Sequence, residues 1–330
     1  MTTFSVKKIG GKQYLYAKEK IYVAKGKNKI KYTSLGRVDD PINKVKKQLQ
    51  FKRKVETEES EVRTKYWTGK TQAKVAFKET VIQKLEQLRG KLFRDKQDLG
   101  HVAQHAMETA FMIDFIYNSN KIEGSKMPKK EVEKIVSAGS IKKNAEVENS
   151  LKAISFSPQV LKKLSINKII ELHKILLSHE PSKHGIREVA IVVGNSDTAQ
   201  ATEIIAKLSE LLDWYNSVEG KLYPPELAFR FYYRFERIHP FVDGNGRIGR
   251  ILMNSILKSH RYHPIILWNS QREKHMNVFE KAMEGHIEKY LDFMTEQMVR
   301  TYQAYIKKLD DAASLDKYLQ TFLKPTAFED

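Results

Sequence analysis

Four side chains that could move a proton and hold a polyphosphate lie within the twelve residues His239-Pro240-Phe241-Val242-Asp243-Gly244-Asn245-Gly246-Arg247-Ile248-Gly249-Arg250. His239 is the only one of them that titrates near neutral pH, so it is the candidate general base. Asp243 offers the hard oxygen ligands that suit a Mg²⁺ ion bridging phosphates. Arg247 and Arg250 are three residues apart, so in a helix both guanidinium groups can reach one anion. Together these residues predict phosphoryl or nucleotidyl transfer.

The element that must position these side chains is a helix that begins inside the motif. An apolar helical run, residues 251–257, follows the segment Gly244-Asn245-Gly246. Glycines on both sides of an Asn allow the backbone N–H groups to turn toward one concave space, and such a nest at a helix N-terminus binds anions, phosphate above all. We therefore expect Gly244, Asn245 and Gly246 to cradle a phosphate.

The spacing resembles the Fic family motif, H-x-F-x-[D/E]-G-N-G-R-x-x-R, and matches every specified position. The resemblance covers residues of about 104–300. It implies a mainly α fold: a Fic-like helical core with a small β-hairpin flap, preceded here by a small basic β-rich N-terminal domain. It also implies a protein adenylyltransferase that moves AMP from ATP to a Ser, Thr or Tyr hydroxyl of a protein.

The same resemblance implies a role for each motif residue. His239 deprotonates the hydroxyl, Asp243 holds Mg²⁺ against the α and β phosphates, and Phe241 anchors the loop in the core. The glycine segment stabilises charge at the α-phosphate, Arg247 steadies the β-phosphate and Arg250 the γ-phosphate. In the family's phosphorylating branch a Lys replaces the second Gly of the motif, so Gly246 favours nucleotidyl transfer.

A second motif lies at the end of a helix predicted over residues 101–122. Ser119, Glu123 and Gly124 resemble the family's inhibitory pattern [S/T]-x-x-x-E-[G/N], in the subclass whose inhibitory helix precedes the catalytic domain. A carboxylate at Glu123 that pairs with Arg250 would occupy the Arg needed for the γ-phosphate. The resemblance therefore predicts autoinhibition.

Residues 184–194 are predicted to form a turn and a short hairpin. This segment resembles the family's flap, which implies that Ile191, Val192, Val193 and Gly194 bind the target's backbone by strand addition. A hairpin that only covers the core is the alternative, and both roles are compatible.

The N-terminal residues are strongly basic. Residues 1–54 hold sixteen Lys or Arg against three acids, an excess of +13 within a chain of net charge +18. Period-two alternation predicts strands at 14–17, 21–24 and 29–33, with residues 18–20 in a turn. In the third strand Lys27, Lys29 and Lys31 share one face. The basic sheet loosely resembles the arm-type DNA-binding sheet of integrases; a solubilising appendage or a protein-docking sheet are the alternatives.

Four segments follow from composition: a basic β-rich domain at 1–40, a charged helical linker or arm at 41–100, the Fic domain with its inhibitory helix at 101–300, and a C-terminal helical tail at 301–330. The chain has no cysteine, which excludes disulfides and Cys-based zinc sites. No signal-peptide core and no 18-residue apolar run are found, so we expect a cytoplasmic protein and no membrane partner.

Three alternatives for the function stay open. The same site could remove AMP, with Glu123 orienting water. Another nucleotide could be the donor, because Met283 stands where some relatives have an adenine-contacting Asn, and Met276 where a Tyr often stacks. The chain could instead be a DNA-bound regulator that works through its basic sheet. Relatives often dimerise, so a homodimer is left open, as is self-modification.

Other residues receive structural interpretations. Tyr232 and Tyr233 replace a His pair of many relatives, which we expect to affect packing rather than chemistry. Lone histidines such as His173 have no ligand-like spacing and are expected at the surface or at helix caps.

Overall fold

The protein is described here from a computed structural model that covers residues 3–39, 41–69, 76–138, 144–190, 192–193 and 196–322. The fold is mainly α, as predicted, with eleven α-helices and a small three-stranded antiparallel sheet among these residues. Contacts divide the described residues into two compact units. One comprises residues of Met1–Lys91 and Gly220–Tyr223, and the other comprises residues of Leu92–Glu219 and Pro224–Asp330.

The first unit opens with a meander of three strands, β1 (Thr3–Ile9), β2 (Lys12–Ala24) and β3 (Lys27–Arg37), paired in the order β1-β2-β3. The predicted turn at residues 18–20 is wrong, because these residues continue β2 and pair with residues 30–32 of β3. A charged Lys-Glu-Lys run is compatible with a strand when its side chains alternate between the two faces of the sheet.

Helix α1 (Pro41–Gly69) packs on one face of this sheet. Phe51 and Val55 from the helix join an apolar cluster with four residues of the sheet, namely Leu15, Ala17, Ile21 and Leu35. Residues 41–69, predicted as part of a linker or arm, therefore share a core with the sheet. Helix α2 (Glu79–Asp98) follows, and the predicted four-part functional division of the chain stays a prediction.

The second unit is a helical assembly: α3 (His101–Ile122), α4 (Lys129–Ala138), α5 (Ala145–Lys162), α6 (Ile166–Leu176), α7 (Ile204–Val218), α8 (Pro224–Ile238), α9 (Asn245–Ser259), α10 (Arg272–Met283) and α11 (Ile287–Phe322). Gly285, whose φ of 104° suits glycine, lies between α10 and α11. Beyond residue 300, the predicted tail is the continuation of α11.

Helix α9 is the centre of the second unit. It is buried over residues 245–257 and packs against α3, α5, α6 and α8. The buried residues of α9 include Arg247 and Arg250, so its first turns carry positive charge inside the unit. Since α9 begins at Asn245, its buried N-terminus lies inside the sequence motif. None of the helices in the described part of the chain has an apolar stretch long enough to cross a membrane.

Candidate active site

The loop between α8 and α9 carries His239 in a rare backbone conformation. Its φ is +50°, which non-glycine residues adopt only when neighbouring groups hold them there. Two contacts supply that restraint: the backbone N–H of His239 donates to Phe235 O at 3.0 Å, and Arg187 Nε donates to His239 O at 2.7 Å. The histidine is therefore fixed in place by hydrogen bonds from outside its own loop.

Arg187 is a positioning residue, a role that was not predicted for it from the sequence. It is 2% exposed, and its backbone N–H also donates to Pro240 O at 2.9 Å. Its guanidinium group bonds Val189 O at 2.5 Å and Thr198 Oγ1 at 2.9 Å, so it joins the hairpin segment to the histidine loop. One feature of the sequence indicates this role: Arg187 lies within the mostly apolar segment 184–194. A charged group that is buried among apolar residues needs several hydrogen-bond acceptors.

The His239 ring is oriented for base chemistry. Nδ1 donates to Glu236 O at 3.3 Å, which leaves Nε2 as the ring nitrogen able to accept a proton. Burial is the main cause that lowers the pKa of His239 below its ordinary value of 6.5. The imidazole is thus neutral at pH 7, the state that a general base requires.

Asp243, the candidate metal ligand, is already surrounded by positive charge. Its carboxylate bonds Lys183 Nζ at 2.9 Å, Arg247 Nη2 at 3.0 Å and the Gly244 N–H at 2.6 Å. Burial acts to raise the pKa of Asp243, but the bond from Lys183 and the charge of Arg247 outweigh it and lower the pKa. An ionised carboxylate that attracts an ammonium group fits a Mg²⁺ ion held jointly with phosphates. Within the described residues, no cluster of three or more metal-ligating side chains accompanies it.

Phe241 and Asn245 pin the loop to the core. Phe241 is fully buried and stacks on His173, with ring centroids 3.8 Å apart. Asn245 exchanges two hydrogen bonds with the Phe241 backbone, at 2.9 and 2.8 Å. The Asn245 side chain is therefore used inside the loop, and only its backbone N–H is available for the anion that the sequence analysis assigned to it.

The expectation of a surface or capping role is wrong for His173. The residue is fully buried in α6, and its Nε2 donates to Asp243 O at 3.0 Å. Burial lowers the pKa of His173 to about 4, so the ring is neutral. Its position depends on contact between helices distant in sequence, which the spacing of histidines along the chain does not reveal.

The N-terminus of α9 has the properties of an anion site. Gly244 caps the helix with a φ of 81°, and the N–H groups of the first helical turn have no acceptor within the helix. The Arg247 side chain is 7% exposed, and its Nε has no hydrogen-bond partner among the described residues. Buried donors without an acceptor are costly, and a phosphate would satisfy them.

Arg250 is bonded by the end of α3. Its Nε donates to Ser119 Oγ at 2.9 Å, and its Nη2 donates to Ser119 O at 3.0 Å and to Glu123 Oε1 at 2.7 Å. Gly124 follows with a φ of 97°, which ends α3 and turns the chain. The predicted pairing of Glu123 with Arg250 is therefore present, and Ser119 strengthens it.

Two residues of α8 extend the environment of Arg250. The Tyr232 hydroxyl accepts a hydrogen bond from Arg250 Nη1 at 3.3 Å, a polar contact in addition to the packing predicted for this tyrosine. Glu236 is buried beside them, and burial, followed by the charge of Glu123, raises its pKa to about 8. A Cβ at Gly249 would lie 2.8 Å from the Tyr232 ring, so glycine is what allows α8 to approach.

The hairpin forms as two short strands, β4 (Val192–Val193) and β5 (Ser196–Asp197), paired antiparallel. Ile191 and Gly194, the other two predicted flap residues, lie outside the described residues. Arg187 connects this hairpin segment with His239, as described above. The structure thus brings the base, the anion site and the Glu123 contact together within one unit.

Comparison with known proteins identifies the domain. Residues 163–257 match the model of the Fic/DOC family. A protein adenylyltransferase Fic of Drosophila willistoni is 30% identical over 208 residues, which are 59% of this chain and 42% of that protein. The corresponding protein of Drosophila virilis is 29% identical over 66% of this chain and 48% of its own length. The chain thus spans about half the length of the curated relatives it matches.

Solved structures give the same assignment. A Fic-domain-containing signalling protein from Bacteroides thetaiotaomicron superposes with a TM-score of 0.61 and 25% identity, over 69% of this chain and 98% of that one. Fic-1 (residues 134–508) from C. elegans shares the fold, with a TM-score of 0.60, 20% identity, and coverage of 80% and 86%. Residues 163–257 thus match the Fic/DOC family model, and the chain shares its fold with solved Fic-domain structures.

Proposed function

We propose that this chain is a protein adenylyltransferase, which moves AMP from ATP to a Ser, Thr or Tyr hydroxyl of a protein. The observation that carries the proposal is a neutral His239 imidazole next to the anion site at the N-terminus of α9. Residues 163–257, which contain this site, match the Fic/DOC family model, and relatives named protein adenylyltransferase Fic match 59% and 66% of the chain. Base, anion site and paired Arg residues are the groups that nucleotidyl transfer requires.

The reaction uses His239 Nε2 to accept the proton of the target hydroxyl. The hydroxyl oxygen then attacks the α-phosphorus of ATP, the bond between the α and β phosphates breaks, and pyrophosphate leaves. Backbone N–H groups of Gly246 and its neighbours, at the start of α9, stabilise the charge that develops on the α-phosphate. Arg247, whose Nε has no acceptor among the described residues, binds the β-phosphate. Arg250 binds the γ-phosphate when Glu123 has released it.

Asp243 is the residue that would hold Mg²⁺. The bound ion would neutralise phosphate charge when the nucleotide is present. Lys183 now bonds Asp243 Oδ2 at 2.9 Å, so this ammonium group must give way or share the carboxylate.

Glu123 inhibits transfer by occupying Arg250. The pair is charge-assisted; the Arg250 side chain is 2% exposed and the Glu123 side chain 32% exposed, so water screens the pair only in part. While the pair persists, the γ-phosphate lacks its cation and ATP binds with its phosphates displaced from the in-line geometry. Release of Glu123 is the activating step of this proposal.

The short hairpin binds the target by adding an extended segment to β4 or β5. Strand addition binds the target through backbone hydrogen bonds, and the short strands β4 and β5 can form such bonds. Such recognition places the hydroxyl without specifying many side chains. We assign this role to residues 191–194, of which 192 and 193 are described.

Met276 and Met283 lie half-buried on α10, and we assign them to the nucleobase side of the site. Methionine can cover the face of a base but cannot donate a hydrogen bond to its edge. Competition between ATP, UTP and CTP in the transfer assay measures how strongly this site selects adenine.

The test compares ATP labelled at the α position with ATP labelled at the γ position, each with Mg²⁺. Wild type, Glu123→Gly and His239→Ala are incubated with each label, first alone for self-modification and then with candidate target proteins. We expect α-label on protein, most with Glu123→Gly and none with His239→Ala. Transfer of the γ-label would refute nucleotidyl transfer in favour of phosphorylation.

Removal of AMP is the second candidate, because only Oε1 of the Glu123 carboxylate has a hydrogen bond among the described residues. The other oxygen could orient a water molecule toward a phosphodiester. Incubating an AMP-modified target with wild type and Glu123→Gly separates the two reactions. Loss of AMP that needs Glu123 supports removal, whereas transfer that rises without Glu123 supports adenylylation.

A further inference from the structure

The two faces of the N-terminal sheet differ in what covers them. Residues paired across antiparallel strands lie on the same face, and Ala17 of β2 packs in the cluster with α1, so its partner Thr33 of β3 lies on the face toward α1. Lys29 and Lys31 of β3 are on this same face, opposite Ile21 and Glu19. The basic face that the sequence predicts on β3 is thus the side toward α1.

Part of the positive charge of that face is neutralised by α1. Glu58 of α1 pairs with Lys29 at 2.8 Å and also with Lys31. Hydrogen bonds from Lys29 and then Lys31 are the main causes that lower the pKa of Glu58, so the carboxylate stays ionised. A polyanion would have to compete with this carboxylate, which makes the face toward α1 a poor binding surface.

The opposite face is open and positively charged. Lys7 on β1 and Lys18 and Lys20 on β2 are exposed there, and no carboxylate among the described residues forms an ion pair with them. Lys18 and Lys20 are two residues apart, roughly 6.6 Å along a strand. That spacing is on the scale of neighbouring phosphates in an extended nucleic-acid strand.

Aromatic rings alternate with these lysines on the open face. Lys7 Nζ lies over the Tyr16 ring at 5.0 Å, and Lys18 Nζ lies over the Tyr32 ring at 5.5 Å. Tyr32 is 61% exposed and its neighbour on the face, Ile30, is 47% exposed. Large apolar side chains held in solvent among unpaired lysines indicate a binding surface rather than a solubilising one.

We propose that this open face, defined by Lys7, Tyr16, Lys18, Lys20 and Tyr32, binds single-stranded nucleic acid. Lysines contact the phosphates, and the tyrosine rings stack on unpaired bases, which is how sheet surfaces bind single strands. A base inside a duplex is not available for stacking, so the exposed rings favour a single strand over double-stranded DNA. The binding is independent of ATP and of His239.

The test measures fluorescence anisotropy of a labelled 20-nucleotide oligo-dT with the full chain at several salt concentrations. Tyr16→Ala and Tyr32→Ala should each weaken binding about 5- to 150-fold, as expected for loss of one stacked base. Tyr32→Phe, which keeps the ring, should bind as wild type does. The double variant Lys18→Gln/Lys20→Gln should flatten the slope of log affinity against log salt by about 1.4.

The matched control is Lys162→Gln/Lys163→Gln, which removes two exposed lysines from the second unit and should leave affinity unchanged. Melting curves of every variant exclude unfolding as the cause of a loss, and His239→Ala must bind like wild type. The proposal is overturned if no oligo-dT binding is found at low salt, or if the tyrosine variants bind normally. It is also overturned if a 20-bp duplex, an acidic peptide or anionic vesicles bind more tightly than the single strand.

Discussion

Glu123 provides the most direct test of how this site is controlled. Its carboxylate lies 2.7 Å from Arg250 Nη2, at the end of α3. Glu123→Gly removes the carboxylate, and Gly is compatible with this position because it follows the last residue of the helix. Glu123→Gln keeps the length of the side chain but removes its charge. Both variants should free Arg250 for the γ-phosphate.

The size of the effect follows from the contact itself. A hydrogen bond to a charged group contributes about 1.5–3 kcal/mol, which corresponds to roughly 10- to 150-fold in rate if the contact opposes productive ATP binding. Since Glu123 is 32% exposed, water screens the pair, and we expect Glu123→Gly to lie toward the lower end of this range. Glu123→Gln should raise the rate less, because its amide oxygen can still accept from Arg250.

The assay is transfer of α-labelled AMP, measured as initial rate against ATP concentration. Ser119→Ala removes one acceptor of Arg250 and should give a smaller rise than Glu123→Gly. Glu131→Gln, which neutralises an exposed acid in the first turn of α4, is the matched control and should match wild type. Arg250→Ala should lose activity with or without Glu123.

Three results would refute this reasoning. One is a rate for Glu123→Gly at or below that of wild type. Another is an equal rise with Glu131→Gln, which would point to a general effect of net charge. The third is activation of Glu123→Gly in a protein that also carries Arg250→Ala, because the inhibition is argued to act through that arginine.

Three further predictions concern the same site. Burial lowers the pKa of His239, so the fall in transfer by Glu123→Gly at low pH should be centred below pH 6.5; a fall centred above pH 6.5 would contradict the role of burial. A methyl group at Gly246 would overlap the Glu123 carboxylate and lie 2.8 Å from Arg250 Nη1, so Gly246→Ala should displace Glu123. When Gly246→Ala is already present, adding Glu123→Gly should change the transfer rate little further. If the effects of the two substitutions on the rate are fully additive in a double-mutant cycle, the overlap is contradicted. Burial raises the pKa of Glu236 to about 8. Between about pH 4.5 and 8 the unfolded chain therefore releases this proton while the folded chain keeps it, so the free energy of unfolding falls as pH rises. Glu236→Gln should therefore melt at a higher temperature than wild type by a margin that grows across this range, and a constant margin would show that the carboxyl is not buried neutral.

Most of the candidate site can be predicted from local sequence. The motif His239–Arg250 names a base, an anion site and two cations because their spacing is set by one loop and one helix turn. The end of α3 is equally local, since Gly124 at a positive φ stops the helix after Ile122. Even the pairing of Glu123 with Arg250 could be predicted, but through the resemblance to a family rather than from spacing.

Other residues of the site could not be predicted, because their role depends on helices that meet in three dimensions. Arg187 holds the His239 carbonyl from 52 residues away, and His173 holds the Asp243 carbonyl from 70 residues away. The sequence indicates a core residue of α8 at Tyr232, but in the structure its hydroxyl accepts a hydrogen bond from Arg250 of α9. No periodic pattern encodes such contacts.

The N-terminal sheet illustrates the same division. Sequence alone predicted strands at 14–17, 21–24 and 29–33 and an excess of lysine, because alternation follows from the two-residue repeat of a strand. Only the tertiary structure decided which face is available, because α1 covers one side and brings Glu58 to Lys29 and Lys31. Local chemistry selects the elements and the reactive groups, whereas long-range packing selects which of those groups stay exposed, which are held and which are neutralised.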